Sequence, residues 1–366
     1  MKQHPLGAKR WAALLIFGLF GQLAWTIENM YFNVFVYNTI TTDPGVIANM
    51  VAASAVTATL TTLLMGALSD RLGRRKAFIV VGYLLWGASV ASFAFLSVGN
   101  MAKLFPAANA VQAAALMVVI MDCVMTFFGS SANDAAFNAW VTDVTHEDNR
   151  GRVESVLSVL PLVAMLIIFG GFSWMTDAGR WGDFFLLFGA LVTAGGLAGL
   201  VFVRDVPHPA HARSGYFADI VYGFRPSVVR ENPGLYITLL ALGVFSASTQ
   251  VFMPYLIIYI QRYLGMQDYA LVLAAVLVGA SAVSVLCGRL IDKVGKLHFV
   301  LPAAVVEVLG LLGMLFARGT LAVIGAGLVM LSGVMLLTAS LNGLVRDYTP
   351  PDKAGAFQGI RMLFAV

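Results

Sequence analysis

Apolar residues fall into long runs along this chain, and short polar or basic stretches separate the runs. A membrane-spanning helix needs about 20 mostly apolar residues, and ten runs reach that length. We therefore predict ten spans, at residues 11–37, 46–66, 77–98, 110–140, 153–176, 182–203, 234–262, 269–290, 297–317 and 320–345. A further apolar run begins near Ala354 and continues to Val366, which predicts the start of an eleventh span.

The composition indicates the same class of protein. Of the 366 residues, 59% are hydrophobic and only 11% are charged, whereas soluble domains carry about 25% charged residues. A chain of this size cannot bury so much apolar surface in water, so we expect a lipid bilayer to cover it. The net charge of +4 reflects basic loops between the spans and does not indicate nucleic-acid binding.

The basic residues are distributed unevenly between the two sides of the predicted membrane. All but four of the 23 Lys and Arg residues lie on the side of the N-terminus; the four others are Lys103, Arg180, Arg262 and Arg318. Because cytoplasmic loops carry an excess of Lys and Arg, we predict a cytoplasmic N-terminus. We expect a multi-pass protein of the cell inner membrane that acts as a monomer.

Two loop sequences occur twice, which indicates a duplicated unit. The loop after span 2 reads GALSDRLGRRK (66–76), and the loop after span 8 reads GRLIDKVGK (288–296). Likewise, VTDVTHEDNRG (141–151) follows span 4 and VRDYTPPDKAG (345–355) follows span 10. We predict a six-helix bundle over 1–203, a cytoplasmic connector over 204–232 with a short amphipathic helix around 217–224, and a second bundle over 233–366.

The first of these loops resembles the loop between helices 2 and 3 of the major facilitator superfamily of secondary transporters, and it matches that family's G-x-L-[SA]-D-R-x-G-R-[RK] pattern. The resemblance implies an all-α fold of two six-helix halves that bind a solute between them, and no enzymatic activity. It also implies twelve helices, so we expect the second half here to be incomplete. The residues that the resemblance assigns to cytoplasmic gating motifs are Gly66, Asp70, Arg71, Gly73, Arg74, Arg75, Asp143, Arg150, Gly151, Asp292, Lys293, Gly295 and Asp347.

Acidic residues inside the spans are the strongest candidates for chemistry. A charged side chain at the bilayer centre costs roughly 2.5–3.5 kcal/mol on insertion scales, so such groups usually serve a function. The resemblance implies that helices 1, 4, 7 and 10 line the solute cavity. On span 1, Glu28 lies beside Asn29, and Trp25 and Phe32 fall at helical spacing. A carboxylate, an amide and aromatic rings on one face suit a polyhydroxylated solute.

Span 4 carries polar residues at every fourth position: Asp122, Thr126, Ser130, Asp134 and Asn138, with Asn133 beside them. This spacing predicts a polar stripe along one helix face. We expect Asp122 to bind a proton or cation, whereas Asp134 could instead pair with Arg71 or Arg150 of the gating motifs. On span 7, Gln250 and Tyr255 are further solute contacts. Glu307 on span 9 is expected to be a peripheral structural carboxyl.

These residues lead to a prediction of cation-coupled symport, with H⁺ or Na⁺ as the coupling ion and no other cofactor or metal. The solute is expected to be a sugar or glycoside, carried by alternating access. The side chains of span 2 that could take part in cation coupling are threonines rather than carboxylates: Thr57, Thr59, Thr61 and Thr62. We therefore expect coupling to use spans 1 and 4. A proton-coupled exporter and a non-transporting receptor remain alternatives. A prenyltransferase is disfavoured because no D-x-x-x-D metal site is present, and the absence of a P-loop excludes a primary pump on this chain.

Overall fold

The computed structural model describes residues 6–145, 153, 156–157, 159–205, 225–349 and 364, apart from the side chains of residues 67, 70, 71, 288–290, 292, 293 and 346. Within these residues every regular element is a helix. The chain divides into two compact units, residues 1–212 and 213–366. The predicted amphipathic helix lies outside the described residues, and so does the predicted eleventh span apart from Phe364.

Ten helices are long and apolar enough to cross a membrane, which confirms the ten predicted spans. We number them in chain order: α1 Ala8–Thr39, α2 Pro44–Leu72, α3 Arg75–Phe95, α4 Ala110–Val144, α5 Leu160–Asp177, α6 Trp181–Phe202, α7 Pro233–Tyr263, α8 Tyr269–Val294, α9 Lys296–Phe316 and α10 Thr320–Tyr348. Two short helices, Val98–Leu104 and Pro226–Glu231, lie outside the spans.

Capping residues set where two of these helices begin. The Asp43 carboxylate accepts a hydrogen bond from the Gly45 amide, and Pro44 occupies the first helical position of α2. The Asn109 side chain accepts hydrogen bonds from the first amides of α4. Side-chain oxygens satisfy helical amides that have no partner within the helix, and proline has no such amide to satisfy.

In unit one, α3 and α6 approach each other closely through a pair of glycines. A Cβ atom on Gly189 would lie 2.7 Å from both the Ala91 nitrogen and the Gly87 oxygen, so only glycine allows the two backbones to approach this closely. Helix α1 packs against α5 and α6, and α4 packs against α2 and α3. These contacts place α1, α2 and α4 beside one another in the bundle.

In unit two, α10 is the central helix of the described part and packs against α7, α8 and α9. Its apolar residues join a buried core that includes Leu239, Leu242, Ile291, Leu337 and Leu341.

Five spans depart from α-helical geometry, and in α3 the departure is a 3₁₀ turn at its end, Phe93–Phe95. Wider π-helical turns occur at Ile27–Tyr31 in α1, Ser130–Phe137 in α4 and Ile168–Phe172 in α5. Helix α7 contains a 3₁₀ turn at Met253–Tyr255, where Pro254 cannot donate a helical hydrogen bond, and then a π turn at Tyr259–Tyr263. Such interruptions often occur at functional sites, and two of them here carry acidic residues.

Candidate functional site

The candidate site in unit one is a group of four side chains from three helices, which we call the carboxyl cluster: Glu28, Ser54, Asp122 and Thr126. Glu28 lies in the π turn of α1, Ser54 lies on α2, and Asp122 and Thr126 lie one turn apart on α4. Helices α1, α2 and α4 have Ala8, Leu72 and Val144 at one end of unit one, which we call the basic end. Each cluster residue is about 20 residues from that end of its own helix, a distance of ~30 Å at 1.5 Å per residue.

Hydrogen bonds connect the members of the cluster. The Ser54 and Thr126 hydroxyls each donate to Glu28 Oε1 at 2.8 Å. The two hydroxyl oxygens also lie 2.8 Å from each other. The Asp122 carboxyl interacts electrostatically with Glu28, and the Ser54 side chain lies against it as well. The predicted residues of spans 1 and 4 therefore meet at one point, and Ser54 of α2 joins them.

The two carboxyl groups of the cluster are buried without a charge partner. Glu28 is 7% exposed and Asp122 is 1% exposed. Glu28 Oε2 and Asp122 Oδ1 accept no hydrogen bond within the described residues, and no Lys, Arg or His described here forms an ion pair with either group. Because a buried charge is strongly unfavourable unless it is paired, each of these carboxyls is stable here only when it is protonated or accompanied by a cation.

Further along α4, Asp134 and Ser130 continue the polar stripe. The Ser130 hydroxyl donates to Asp134 Oδ2 at 3.0 Å, and Asp134 interacts electrostatically with Glu28. A four-residue spacing drifts by about 40° per step on an α-helix, but the π turn at Ser130–Phe137 has more residues per turn and reverses that drift. The side chains of Arg71 and Arg150 are not described, so the alternative pairing of Asp134 with them stays a prediction.

A second polar group, the Asn133 network, connects α1, α3 and α4. The Trp25 Nε1–H donates to Asn133 Oδ1 at 3.4 Å, and the Asn133 Nδ2–H donates to the Tyr83 hydroxyl at 2.6 Å. Tyr83 in turn donates to the Phe17 carbonyl oxygen at 2.7 Å. Sequence reasoning missed Tyr83, because a lone tyrosine in an apolar span is indistinguishable from a packing residue.

The aromatic face predicted around Glu28 is split in the structure. Trp25 remains half-buried and packs against Trp86, with the ring centroids 4.9 Å apart. Asn29 is exposed, and its side chain donates to the Trp25 carbonyl oxygen. The prediction that Phe32 shares this face is wrong, because Phe32 is fully buried and its ring lies 4.1 Å from that of Phe93. The π turn rotates Phe32 towards the aromatic core of unit one.

In unit two, the candidate residues on α7 do not form a comparable group. Gln250 is exposed and Tyr255 is half-buried, whereas the neighbouring Tyr259 hydroxyl donates to the Met314 carbonyl oxygen at 2.8 Å. Glu307 is buried where α9 meets α10: a Cβ atom on Gly333 would overlap the Glu307 backbone. This location agrees with a structural role for Glu307.

The gating motifs form matched ion pairs in the two units. At the basic end, Arg75 Nε lies 3.2 Å from Asp143 Oδ2, and Arg75 also donates to Ser69. In unit two, Lys296 Nζ lies 2.6 Å from Asp347 Oδ2. Each pair joins the first turn of one helix (α3 or α9) to the last turn of the next (α4 or α10). The two units therefore repeat this contact, although Lys296 aligns with Arg74 rather than with Arg75 in the sequence repeat.

The turns beside these pairs depend on glycine. Gly73 ends α2 at φ 61° and ψ 21°, and its N–H donates to the Ser69 carbonyl oxygen; Gly295 has φ 98°. A Cβ atom is strained at such positive φ values. Arg74 is exposed beside the turn, and the Gly66 carbonyl oxygen accepts from Ser69. Arg150 and Gly151 lie outside the described residues, as do the side chains of Asp70, Arg71, Asp292 and Lys293.

Comparison with known proteins identifies the family. The sequence profile described as Major Facilitator Superfamily matches residues 14–366. The chain belongs to the major facilitator superfamily. A search among curated proteins finds no match.

Solved structures of major facilitator proteins share the fold. A mutant form of the nucleoside transporter NupG superposes with a TM-score of 0.77 at 10% identity, over 97% of this chain and 87% of that one. The xylose transporter XylE from E. coli, in a partially occluded inward-open conformation, gives a TM-score of 0.67 at 16% identity, over 98% and 90% of the two chains. At these identities the likeness shows the fold alone.

Membership of the major facilitator superfamily confirms the predicted fold class and three broader predictions. The protein is a multi-pass membrane protein, it transports small solutes, and it is a transporter rather than an enzyme.

Proposed function

We propose that this major facilitator protein is a cation-coupled symporter, using H⁺ or Na⁺, for a small polar solute of the sugar or glycoside class. The observation that carries the proposal is the pair of buried carboxyls, Glu28 and Asp122, that lack any basic partner among the described residues. Fully buried carboxyls are rare in proteins unless they are paired.

The carboxyl cluster gives coupling a physical basis. Without a cation, the cluster places unpaired negative charge deep in the bundle, which is expensive in a low-dielectric environment. Binding of one cation removes much of that cost. If the cluster is less hydrated in one transport conformation than in the other, cation binding favours the less hydrated conformation. The reason is that a ligand shifts an equilibrium by its differential affinity for the two states.

The solute class follows from the groups beside the cluster. Trp25 offers a half-buried indole ring one helical turn from Glu28, and Asn133, Asn29 and Asp134 offer amide and carboxylate groups. An apolar ring surface combined with a few fixed polar groups is the usual composition of a site for a small polar ligand. The structural neighbours XylE and NupG are transporters of xylose and of nucleosides, which are solutes of similar size and polarity.

The gating motifs supply a conformational element for alternating access. We propose that the Arg75–Asp143 and Lys296–Asp347 pairs lie on the cytoplasmic side and stabilise one of the transport states. Each pair fixes the end of one span against the start of its neighbour. An element of this kind has to be released and remade during each transport cycle.

Reconstitution into proteoliposomes tests the proposal. The vesicles are challenged with a panel of sugars, glycosides and nucleosides while internal pH and ²²Na⁺ uptake are followed. Cation entry that depends on one solute class is the expected result. Solute leaving the vesicles in exchange for entering protons would instead establish the proton-coupled exporter. Solute uptake with no movement of either cation would refute cation coupling.

A further inference from the structure

Beyond the general proposal of cation coupling, and resting on it, we propose that Glu28, Ser54, Asp122 and Thr126 form a sodium-binding site, so that sodium rather than a proton is the coupling cation. The site lies wholly within unit one, where α1, α2 and α4 meet.

All the ligands that the cluster offers are oxygen atoms. Two carboxyl groups and two hydroxyl groups converge from three helices, and Glu28, Asp122 and Thr126 are more than nine-tenths buried. Hard cations such as sodium favour oxygen ligands over nitrogen or sulfur. Among the described residues no group of three or more His, Cys, Asp and Glu is arranged to hold a metal ion, so the acidic ligands of the cluster are Glu28 and Asp122 alone.

The cluster has more close oxygen–oxygen contacts than it has hydroxyl protons to bridge them. Glu28 Oε1, Ser54 Oγ and Thr126 Oγ1 lie 2.8 Å from one another in all three pairings. Each hydroxyl carries a single proton, so with Glu28 ionised only two protons serve three contacts. Oxygen lone pairs then face each other across the third contact. A cation bound to these oxygens relieves that repulsion.

The unpaired oxygens of the cluster are available as ligands for an ion. Glu28 Oε2 and Asp122 Oδ1 are both buried and both lack a hydrogen-bond partner among the described residues. Each oxygen therefore has lone pairs that are free to contact a cation. A metal ion can contact several oxygens at once, whereas a hydrogen-bonded proton is shared by two. A sodium ion bound beside one ionised and one protonated carboxyl leaves the cluster without net charge.

The backbone of α1 favours an ion at this point. Glu28 lies within the π turn Ile27–Tyr31, and π turns interrupt the regular pattern of helical hydrogen bonds. In other membrane transporters, interrupted helices commonly bind coupling ions. The departure of α1 from regular geometry and the unpaired carboxyl oxygens therefore indicate the same location independently.

Sodium binding is tested on the purified protein without any transported solute. Thermal unfolding is followed while NaCl replaces choline chloride at constant ionic strength and fixed pH. We expect the unfolding midpoint to rise with sodium and to level off, because a ligand that binds only the folded state stabilises it by mass action. Potassium should produce a smaller rise at the same concentration.

Variants assign the effect to the cluster. Thr126→Val, Ser54→Ala and Asp122→Asn should each raise the sodium concentration for half-maximal stabilisation by about tenfold or more, and Glu28→Gln should abolish the response. Two matched controls should respond like the wild type. Ser131→Ala removes a buried hydroxyl of α4 that bonds only its own helix, and Glu307→Gln neutralises a buried carboxyl in unit two.

Two results would overturn the sodium site. The first is a wild-type midpoint that is the same in sodium and choline, which would leave a proton as the coupling ion. The second is a sodium response that persists in both Glu28→Gln and Asp122→Asn. Should Glu28→Gln fail to fold, equilibrium ²²Na⁺ binding to Thr126→Val and Ser54→Ala, compared with the wild type, gives the same decision. Sodium binding without solute-driven sodium entry would support the site and refute the symport proposal, so the two failures are distinguishable.

Discussion

At the scale of single residues, pairing separates the acidic side chains into three groups. Glu28 and Asp122 are buried with unpaired oxygens, Asp143 and Asp347 form ion pairs, and Glu307 is buried against the backbone of a neighbouring helix. A buried carboxyl without a partner raises the free energy of the protein. The unpaired carboxyls of unit one are therefore best explained by transport, whereas the two ion pairs and the packing of Glu307 against α10 have structural explanations.

Replacing Asp122 by asparagine should separate uphill transport from exchange. The amide preserves the shape of the side chain but removes the charge that a coupling cation neutralises. We expect Asp122→Asn to lose accumulation against a gradient and to retain solute exchange between equal concentrations. Uptake of labelled solute under the two conditions measures both activities. Wild-type accumulation in this variant would refute the coupling role of Asp122.

Replacing Tyr83 by phenylalanine tests the Asn133 network. The change removes the hydroxyl that accepts from Asn133 and donates to the Phe17 carbonyl oxygen. Leaving a buried polar group without a partner costs about 1–3 kcal/mol, so we expect a lower free energy of unfolding and weaker solute binding. Tyr263→Phe, at an exposed position in unit two, is the matched control. Unchanged solute affinity in Tyr83→Phe would exclude the network from the solute site.

Ser54 is a member of the carboxyl cluster that sequence reasoning did not predict. The unusual presence of carboxylates in apolar spans identified Glu28 and Asp122, but a serine among many small residues of span 2 carries no such signal. Two of the threonines that seemed more prominent, Thr57 and Thr59, bond only to carbonyl oxygens of their own helix. Counting residues from the basic end of each helix places Ser54 at the depth of Glu28 and Thr126, and that count could have identified it.

At the scale of helices, hydropathy predicted which segments span the membrane but not where their geometry changes. The apolar runs fixed the ten spans because burial in lipid depends on length and composition. The π turns in α1 and α4 left no clear mark, since Ile27–Tyr31 and Ser130–Phe137 contain neither proline nor an insertion that one sequence can reveal. These turns separated Phe32 from Glu28 and kept the four-residue stripe of α4 on one face.

The two ion pairs of the repeat should differ in their contribution to stability. In the Arg75–Asp143 pair the side chains are 9% and 10% exposed, whereas in the Lys296–Asp347 pair they are 27% and 50% exposed. Removing one partner of a buried pair costs about 3–5 kcal/mol, but exposed pairs contribute about 0–1 kcal/mol. We therefore expect Asp143→Ala to destabilise the protein far more than Asp347→Ala.

Unfolding of the purified protein, followed by helical signal against denaturant concentration, measures this difference. The double variant Arg75→Ala/Asp143→Ala should be less destabilised than the sum of its two single variants, because it leaves no unpaired charge. Equal effects of Asp143→Ala and Asp347→Ala would contradict the assignment of the buried pair as the stronger contact.

At the scale of the whole molecule, the basic residues predict which way the protein lies in the membrane. Lys9 is exposed at the basic end of unit one, and Lys103 is exposed on the short helix between α3 and α4. In a background with Cys123 and Cys287 replaced by alanine, we expect Lys103→Cys to react with an impermeant thiol reagent in intact cells. Lys9→Cys should react only after permeabilisation. The reverse pattern would contradict the predicted cytoplasmic N-terminus.

The central claim is that the carboxyl cluster couples solute entry to cation entry, and solute-induced cation movement tests it most directly. The measurement is made in proteoliposomes with no imposed gradient, using the solute identified from the panel, for wild type, Glu28→Gln and Glu307→Gln. We predict that solute drives cation entry in the wild type and in Glu307→Gln, and that Glu28→Gln shows none. Solute entry into wild-type vesicles without cation movement, or unchanged coupling in Glu28→Gln, would contradict the claim.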